Sequence, residues 1–248
     1  MGQISFNFSG ERYVVTGASS GMGRKVALEL ASSGADVLAL GRNEERLQSL
    51  YQLNPEHIVI ESVDVCNTKK MEDVIASFVT KHGKLKGGVH AAGIMGLTPL
   101  RSIDVNQAKK IMDVSFWAGI SLLRLITKAK YGERGTSTVL FSSVCAESAE
   151  KGMLAYAATK AAINSGVRSV AKEVASKGHR VNSILPGWVI SPMTDAASET
   201  TEVKNIFDKH PLGAGNPEDV SGMVLFLLSN QASWITGSNV VVDGGYLA

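Results

Sequence analysis

The 248-residue sequence predicts a single α/β domain, a doubly wound sheet of about seven parallel strands with helices on both faces. Short β-branched apolar segments alternate with longer segments of helical periodicity. Several of the short segments, such as Val37–Leu40, are apolar throughout, as expected for strands buried on both faces of a parallel sheet. No linker rich in proline, glycine or serine divides the chain, so one domain over residues 1–248 is expected.

The elements are predicted in alternating order along the chain. Strands are expected at Arg12–Thr16, Ala35–Leu40, His57–Val63, Gly88–Ala91, Ser137–Ser142, Arg180–Ile184 and Asn239–Val242. Helices are expected at Met22–Ser33, Glu44–Leu53, Thr68–Lys81, Val105–Lys130, Met153–Ser176 and Pro217–Leu228. Right-handed crossovers place these helices on the two faces. Ligands bind beyond the carboxyl ends of the strands in such a sheet, which places the candidate site at the loops that follow them.

Composition excludes several classes of partner. The formal net charge is +2 without a cluster of five or six basic residues, so no nucleic acid or anionic membrane is expected to bind. The first ten residues lack the features of a signal peptide, and no apolar run of about 18 residues could span a bilayer. Cys66 and Cys145 lack metal-ligand spacing, so free thiols, no metal and a cytoplasmic location are predicted.

Tyr156 and Lys160 are four residues apart in a segment with helical periodicity, which places them on one helix face. An unperturbed tyrosine titrates near about pH 10 and is a poor acid or base at neutral pH. An ammonium group beside the phenol favours its ionised form. Alone, this spacing is more typical of an exposed pair. Ser143, thirteen residues upstream, and a glycine-rich segment near the start favour a proton-transfer site.

That glycine-rich segment, Thr16–Gly23, follows the first predicted strand and leads into a helix. Glycine allows a tight turn and close approach of the backbone to a pyrophosphate, which then meets the positive end of the helix. A packing turn is the alternative for such a segment by itself. The candidate nucleotide-binding residues are Gly17, Ser19, Ser20, Gly21, Met22 and Gly23.

Together these motifs resemble the short-chain dehydrogenase/reductase family, whose signatures are a TGxxxGxG loop and a Ser, Tyr and Lys catalytic set. The resemblance covers almost the whole chain, in the family's order and spacing. It implies that Ser143 hydrogen-bonds a substrate carbonyl while Tyr156 donates a proton as hydride arrives from the nicotinamide. It also implies that Lys160 binds the nicotinamide ribose and biases Tyr156 towards ionisation.

The resemblance implies further contacts with the cofactor, at the adenine, beside the fourth strand and at the nicotinamide. These residues are Asp64, Val65, Ala92, Gly93, Pro186, Gly187, Val189 and Ser191. The second strand ends at Gly41–Asn43 without the acidic residue that would bind the ribose hydroxyls of NAD. Arg42 can instead offer a bidentate fork to phosphate, as in NADP-preferring members, so NADP(H) is expected. A solvated loop residue is the alternative for Arg42.

Two positions depart from the family's pattern. Ser115 stands where the family has an asparagine that helps to hold a water in the proton relay to the lysine, a relay that uses the main-chain carbonyl. Ala91 replaces another asparagine, so hydrogen bonds that brace the sheet are expected to be lost. His90, just before it, is interpreted as a strand residue whose polar atoms are hydrogen-bonded, rather than as a catalytic base. These departures motivate the alternative of a non-catalytic NADP-binding regulatory or scaffold subunit. A serine hydrolase is disfavoured, since Ser143 lacks a nucleophile elbow.

The sequence indicates the substrate less clearly than it indicates the reaction. The segment Val170–Gly178 resembles the 3-oxoacyl-acyl-carrier-protein reductase branch, which implies an acyl-thioester substrate and a carrier protein docked on Lys172 and Lys128 or Lys130. A solvated helix face is the alternative for these lysines, and sugar, polyol and steroid carbonyls stay open. Residues 188–210 are predicted to form a substrate lid. The resemblance also implies a homotetramer or homodimer packed through the two longest helices.

Overall fold

Seven parallel strands form one sheet in the computed structural model, which describes residues 4–195 and 208–248. Their order across the sheet is β3-β2-β1-β4-β5-β6-β7. This confirms the predicted doubly wound sheet, whose order reverses between β1 and β4. The strands are β1 (Arg12–Thr16), β2 (Asp36–Gly41), β3 (Ile58–Ser62), β4 (Leu85–His90), β5 (Gly132–Phe141), β6 (Arg180–Pro186) and β7 (Asn239–Val242).

Helices cover both faces of the sheet and bury its apolar side chains. They are α1 (Gly21–Ser32), α2 (Glu44–Tyr51), α3 (Thr68–His82), α4 (Val105–Met112), α5 (Ala118–Ile126), α6 (Leu154–Val174), α7 (Pro192–Asp195) and α8 (Pro217–Leu228). Successive residues of a strand point to opposite faces. Val15 therefore packs in a core with Val26 of α1 and Val224 of α8, while Val14 packs with Ile75 of α3 and Leu122 of α5.

The helix predicted over Val105–Lys130 is present, but it contains a π turn and ends earlier, at Ile126. Helix α4 ends at Met112, a π-helical turn covers Asp113–Trp117, and α5 runs from Ala118 to Ile126. A π turn accommodates an extra residue without breaking the apolar face, so the periodicity of the sequence does not reveal it. The turn buries Val114 and Ser115 beside the candidate site.

The structure bears on the cysteines, on membrane-spanning helices and on metal-binding clusters. Cys66 and Cys145 are both free thiols, and Cys66 is exposed. Across residues 4–195 and 208–248, no helix is long and apolar enough to cross a bilayer. Within the same ranges, no group of three or more His, Cys, Asp or Glu side chains is arranged to hold a metal ion.

Gly88 of β4 lies in close contact with α5 and β1. A Cβ atom at this position would lie 2.6 Å from Cδ1 of Ile126 and 2.8 Å from Cγ1 of Val14. Gly88→Ala is therefore expected to lower the free energy of unfolding by about 1 to 3 kcal/mol. The measurement is urea unfolding followed by circular dichroism.

Gly222 provides the matched control, because it is exposed in α8 and a Cβ atom there would meet nothing within 4 Å. Gly222→Ala should raise the free energy of unfolding by up to about 1 kcal/mol, since alanine favours a helix over glycine. If both substitutions changed stability equally, close packing at Gly88 would not explain its glycine.

Candidate active site

Helix α6 is tied to the end of β5 by two hydrogen bonds that involve Lys160. The Lys160 Nζ donates to the carbonyl oxygen of Phe141 at 2.7 Å. In the opposite direction, the Ser142 hydroxyl donates to the carbonyl oxygen of Lys160 at 2.9 Å. These contacts fix the height of α6 against the sheet. They thereby place Tyr156, one turn earlier on α6, beside the loop that follows β5.

Ser143 and Tyr156 face the same cavity. Ser143 follows β5, and its Oγ accepts a hydrogen bond from the backbone N–H of Cys145 at 3.2 Å. The hydroxyl of Ser143 also lies close enough to the phenol of Tyr156 to lower its pKa. Two polar side chains that the sequence separates by thirteen residues therefore converge on one point.

Burial raises the pKa of the Tyr156 phenol above its ordinary value, and the nearby Cys145 adds to this effect. The Ser143 hydroxyl acts in the opposite direction and is the weaker influence. The Lys160 Nζ lies 5.4 Å from the centre of the Tyr156 ring, and its hydrogen bond goes to Phe141. The net shift of the phenol's pKa is therefore upward, opposite to the direction expected from helical spacing, because burial dominates and Lys160 is not among the causes.

Burial also lowers the pKa of Lys160 to about 8, although Cys145 opposes the change. The side chain is almost wholly enclosed, so the ammonium form loses its hydration. Lys160 is consequently balanced between its charged and neutral forms just above neutral pH. Such a group can exchange protons within the physiological range.

Ser115 is fully buried, and within the described residues its hydroxyl has no hydrogen-bond partner. The Ser115 hydroxyl lies close to Gly93. A Cβ atom built on Gly93 would lie 3.3 Å from the Ser115 Oγ and 3.7 Å from the Lys160 Nζ. The unpaired hydroxyl and the buried amine therefore approach the same glycine.

His90 braces the sheet where Ala91 was expected to leave it unbraced. Its ring nitrogens lie 2.9 Å from the Thr16 hydroxyl and 3.0 Å from the Val114 carbonyl oxygen. Ala91 has no polar side chain to make the asparagine's hydrogen bonds, but the preceding residue links β1 to the π turn, and the interpretation of His90 as a hydrogen-bonded strand residue agrees with these contacts. Burial, assisted by the charge on Lys160, lowers the pKa of His90 to about 4, so the imidazole is neutral.

A groove of about 410 Å³ runs along the carboxyl ends of β1, β2 and β4. Twelve of the predicted cofactor residues line it: Gly17, Ser19, Ser20, Gly21, Met22, Gly23, Arg42, Asp64, Val65, Ala92, Gly93 and Ser191. Gly17 and Gly21 have positive φ angles of 71° and 53°. A Cβ atom on Gly17 would lie 2.6 Å from the Ala92 nitrogen, so only glycine fits there.

The N-terminus of α1 opens into this groove without a cap. Ser20 stands at the N-cap but its side chain accepts no capping bond, and the first turn holds no acidic residue. By contrast, Asn43, Asn67 and Asp104 cap the next three helices. The first N–H groups of α1 are left for another acceptor, and a helix N-terminus attracts anions. The groove thus fits the pyrophosphate of a dinucleotide.

Basic residues gather at the other end of the groove. Arg42 lines it as predicted, together with Asn43 and Arg46. Within the described chain, no ion pair is formed by Arg42 or Arg46. Arg46 was missed from the sequence, although its place in the first turn of α2, the helix that begins just after Arg42, could have indicated that it lies near the same end of the groove. This end of the groove can receive a phosphate.

A second cavity adjoins the groove and shares Met22 and Ser191 with it. Ser143 and Tyr156 line this cavity, as do the predicted Pro186, Gly187 and Val189. Lys160 and Ser115 line neither space and lie beneath them. The sequence missed a mainly apolar set of lining residues: Met95, Val144, Cys145, Met153 and Tyr246. Their residue types carry no pattern that would assign them to a site.

One wall of the cavity is polar. Glu150 accepts hydrogen bonds from Lys209 and from the Tyr246 hydroxyl, the latter at 2.9 Å. The parts of the predicted lid that the structure describes, represented by Trp188, Thr194 and His210, also line the cavity. Residues 196–207 of that lid lie outside the described residues.

The sequence was compared with protein families and characterised proteins. Residues 17–247 match the family model described as enoyl-(acyl carrier protein) reductase. The chain is 36% identical to the 3-oxoacyl-[acyl-carrier-protein] reductase FabG of Rickettsia conorii over 242 residues, which cover 97% of this chain and 98% of that protein. It is 32% identical to the L-xylulose reductase of Caenorhabditis elegans, with 98% of each chain covered.

Solved structures show the same architecture. A short-chain dehydrogenase/reductase of Brucella melitensis, described as a glucose/ribitol dehydrogenase, is similar with a TM-score of 0.90 and 26% identity. That match covers 98% of this chain and 99% of the other. A short-chain type dehydrogenase/reductase of Mycobacterium ulcerans has a TM-score of 0.88 and 31% identity, with 98% and 91% of the two chains covered.

The burial of Lys160 leads to a prediction about stability. Its pKa is about 8 in the folded chain and 10.5 ordinarily, so folding disfavours the ammonium form. This penalty is complete below about pH 8 and disappears as the pH rises towards about 10.5. Lys160→Met should therefore raise the free energy of unfolding at pH 7 by roughly 1 to 3 kcal/mol, and by much less at pH 9.5.

Chemical unfolding of the cofactor-free protein at both pH values provides the measurement. Lys172→Met is the control, since Lys172 is an exposed lysine of the same helix and should give no pH-dependent gain. A Lys160→Met protein less stable than the native chain at pH 7 would show that the Phe141 contact outweighs the cost of burial.

Proposed function

Because the chain belongs to the short-chain dehydrogenase/reductase family of oxidoreductases, we propose that it is an NADP(H)-dependent reductase of a carbonyl substrate, with 3-oxoacyl thioesters as the favoured class. The observation that carries the proposal is the convergence of Ser143 and Tyr156 on one cavity that adjoins the nucleotide groove. The shared wall at Met22 and Ser191 lets a nicotinamide and a carbonyl meet beside that pair.

Ser143 and Tyr156 have different roles at the carbonyl oxygen of the substrate. When bound, the nicotinamide supplies hydride to the carbonyl carbon. Ser143 already accepts the Cys145 N–H, so its own hydrogen is available to the carbonyl oxygen. Tyr156 is kept protonated by burial and can give its proton to the developing alkoxide. Preorganised donors at that oxygen stabilise the transition state.

Lys160 and Ser115 act behind Tyr156. Lys160 can release or accept a proton near pH 8 and is poised to restore the proton of Tyr156. Ser115 contributes through the main-chain carbonyl that the family's relay uses, and its side chain is secondary. The approach of Ser115 and the Lys160 Nζ to Gly93 places both groups in the same region behind Tyr156.

The preference for NADP(H) rests on Arg42. It lines the groove beyond Gly41, where an acidic residue would repel a 2′-phosphate, and within the described chain it forms no ion pair. A guanidinium group can hold phosphate with two parallel hydrogen bonds. Ser20 adds no charge there, so Arg42 supplies the main discrimination.

The substrate class rests on the lining of the cavity. Met95, Met153, Val144 and Trp188 make its wall mainly apolar, which fits an acyl chain better than a sugar. The relatives named as 3-oxoacyl-[acyl-carrier-protein] reductases support the same choice, whereas the relative named L-xylulose reductase keeps a sugar ketone as the second candidate.

An acyl carrier protein would present such a thioester, and exposed lysines could receive its acidic surface. Lys130 and Lys172 are exposed, whereas Lys128 is hydrogen-bonded to Glu72 at 3.2 Å. We therefore favour Lys130 and Lys172 for docking.

A homotetramer or homodimer is also part of the proposal. Large apolar side chains are exposed on α4–α6 and near β7, including Val105, Trp117, Leu154 and Trp234. Burial of such side chains against a second copy would favour association. The cytoplasmic location stays a prediction from the sequence. The alternative of a non-catalytic NADP-binding subunit has no support among the named relatives.

Arg42→Ala should weaken NADPH binding at least about tenfold, since it removes a charge-assisted contact of about 1.5 to 3 kcal/mol. NADH binding should change by less than about twofold. Dissociation constants for both cofactors, measured by fluorescence titration of both proteins, test the preference. Arg101→Ala, in an exposed segment outside the groove, serves as the control. Equal affinity of the native protein for NADPH and NADH would refute the assignment.

Tyr156→Phe should reduce turnover by about 10²- to 10⁴-fold, because it deletes the oxygen that transfers the proton. Folding and NADPH affinity should stay nearly unchanged. Turnover is followed by NADPH absorbance with 3-oxoacyl thioesters, diketones and sugar ketones. A variant that kept more than a tenth of native turnover would exclude Tyr156 as the acid. A native protein that binds NADPH but reduces none of these substrates would favour the regulatory subunit.

A further inference from the structure

The imidazole of His90 joins three parts of the fold. It extends from the last residue of β4 and lies between Thr16, the last residue of β1, and Val114 of the π turn. A carbonyl oxygen can only accept, so Nε2 carries the hydrogen that goes to Val114. Nδ1 is then an acceptor and takes the hydrogen of the Thr16 hydroxyl. The tautomer and the direction of both hydrogen bonds are thus determined.

The backbone opposite the ring is shaped to admit it. Gly119 of α5 faces the imidazole, and a Cβ atom there would lie 2.8 Å from Cδ2 and 3.2 Å from Cγ of His90. Any other residue at position 119 would push the ring away from Val114. The absence of a side chain at Gly119 therefore lets the His90 ring lie against α5.

The π turn is the part of this arrangement that faces the reaction. Val114, which accepts from His90, precedes Ser115 directly. Ser115 is buried beside Gly93 and on the same side as the Lys160 Nζ. A π turn has a wider and less regular hydrogen-bond pattern than an α-helix, so a side-chain donor can fix its position.

We propose that His90 is a positioning residue for the proton relay: the Thr16 hydroxyl fixes the ring, and the hydrogen bond from Nε2 to Val114 holds the π turn in the place that presents Ser115 to Lys160. This inference rests on the proposed reductase function. It differs from a role in sheet bracing, because the atom held is in the turn behind the active site. The neutral imidazole suits this role, since Nδ1 can accept the hydrogen of the Thr16 hydroxyl only when it is unprotonated.

A second buried histidine makes the inference testable. His179 also contacts a threonine of the sheet, with its Nδ1 3.1 Å from the Thr136 N and 2.8 Å from the Thr136 Oγ1. It precedes β6 and therefore lies at the amino end of the sheet, away from the site. Loss of either ring leaves buried polar groups unpaired, but only His90 contacts the π turn.

The experiment compares His90→Phe, His90→Gln and His179→Phe with the native protein. Steady-state turnover gives kcat and the KM for NADPH, and hydrogen exchange of the cofactor-free proteins gives opening rates for the amides of residues 115–119. His90→Phe should lower kcat about 10- to 100-fold with KM within about twofold, as expected for a small displacement behind the chemistry. Exchange at residues 115–119 should accelerate at least about tenfold.

His90→Gln keeps a donor for Val114 and should recover part of the lost kcat. His179→Phe should leave kcat and the exchange of residues 115–119 within about twofold. A kcat loss no larger in His90→Phe than in His179→Phe, or unchanged exchange in the turn, would overturn the inference. If His90→Phe does not fold, kcat and the exchange of residues 115–119 are compared between His90→Gln and the native protein. A loss of kcat with faster exchange then supports the inference, and no change in either overturns it.

If the native protein shows no turnover, the proposed reductase function is refuted, but the role of His90 is still tested. The exchange rates then decide alone: faster exchange at residues 115–119 supports His90 as the group that holds the turn, and unchanged exchange overturns it.

Discussion

The burial of one cation, the ammonium group of Lys160, constrains the rest of the site. A charged amine inside a protein needs a strong acceptor, and the carbonyl of Phe141 at the end of β5 supplies it. This contact sets the position of α6 and, through it, of Tyr156. The same charge helps to keep His90 neutral, so the imidazole can act as acceptor for Thr16 and donor to Val114. Groups on β1, β4, β5, α6 and the π turn are therefore mutually dependent.

The nucleotide groove follows from a different principle, the absence of side chains. Gly17 lets the end of β1 approach the backbone after β4, and Gly21 turns the chain into α1. Ser20 leaves the first N–H groups of that helix uncapped, although Asn43, Asn67 and Asp104 cap the next three helices. At the N-terminus of α1 the chain thus leaves helix stabilisation unused, where an anion in the groove can supply it.

The sequence predicted the sheet well, because strands buried on both faces are apolar throughout and alternate with amphipathic helices. It also predicted most of the groove, since glycine-rich turns need particular residues at particular places. Its failures have physical causes. The π turn preserves the apolar periodicity, so Val105–Lys130 was predicted as one helix. The pKa of Tyr156 depends on burial, which helical spacing does not report. Met95, Met153 and Tyr246 meet only in three dimensions, from segments without a shared pattern.

The pairing of β1 with β4 has a consequence for how the protein forms. Thr16 aligns with His90 across this pair, so the two sides of the groove come from segments more than seventy positions apart in the chain. Contacts of such long range form late, because closing the intervening loop costs entropy before any contact repays it. Dinucleotide therefore cannot guide the first stages of folding. It acts afterwards, by mass action on a chain whose β1 and β4 have already met.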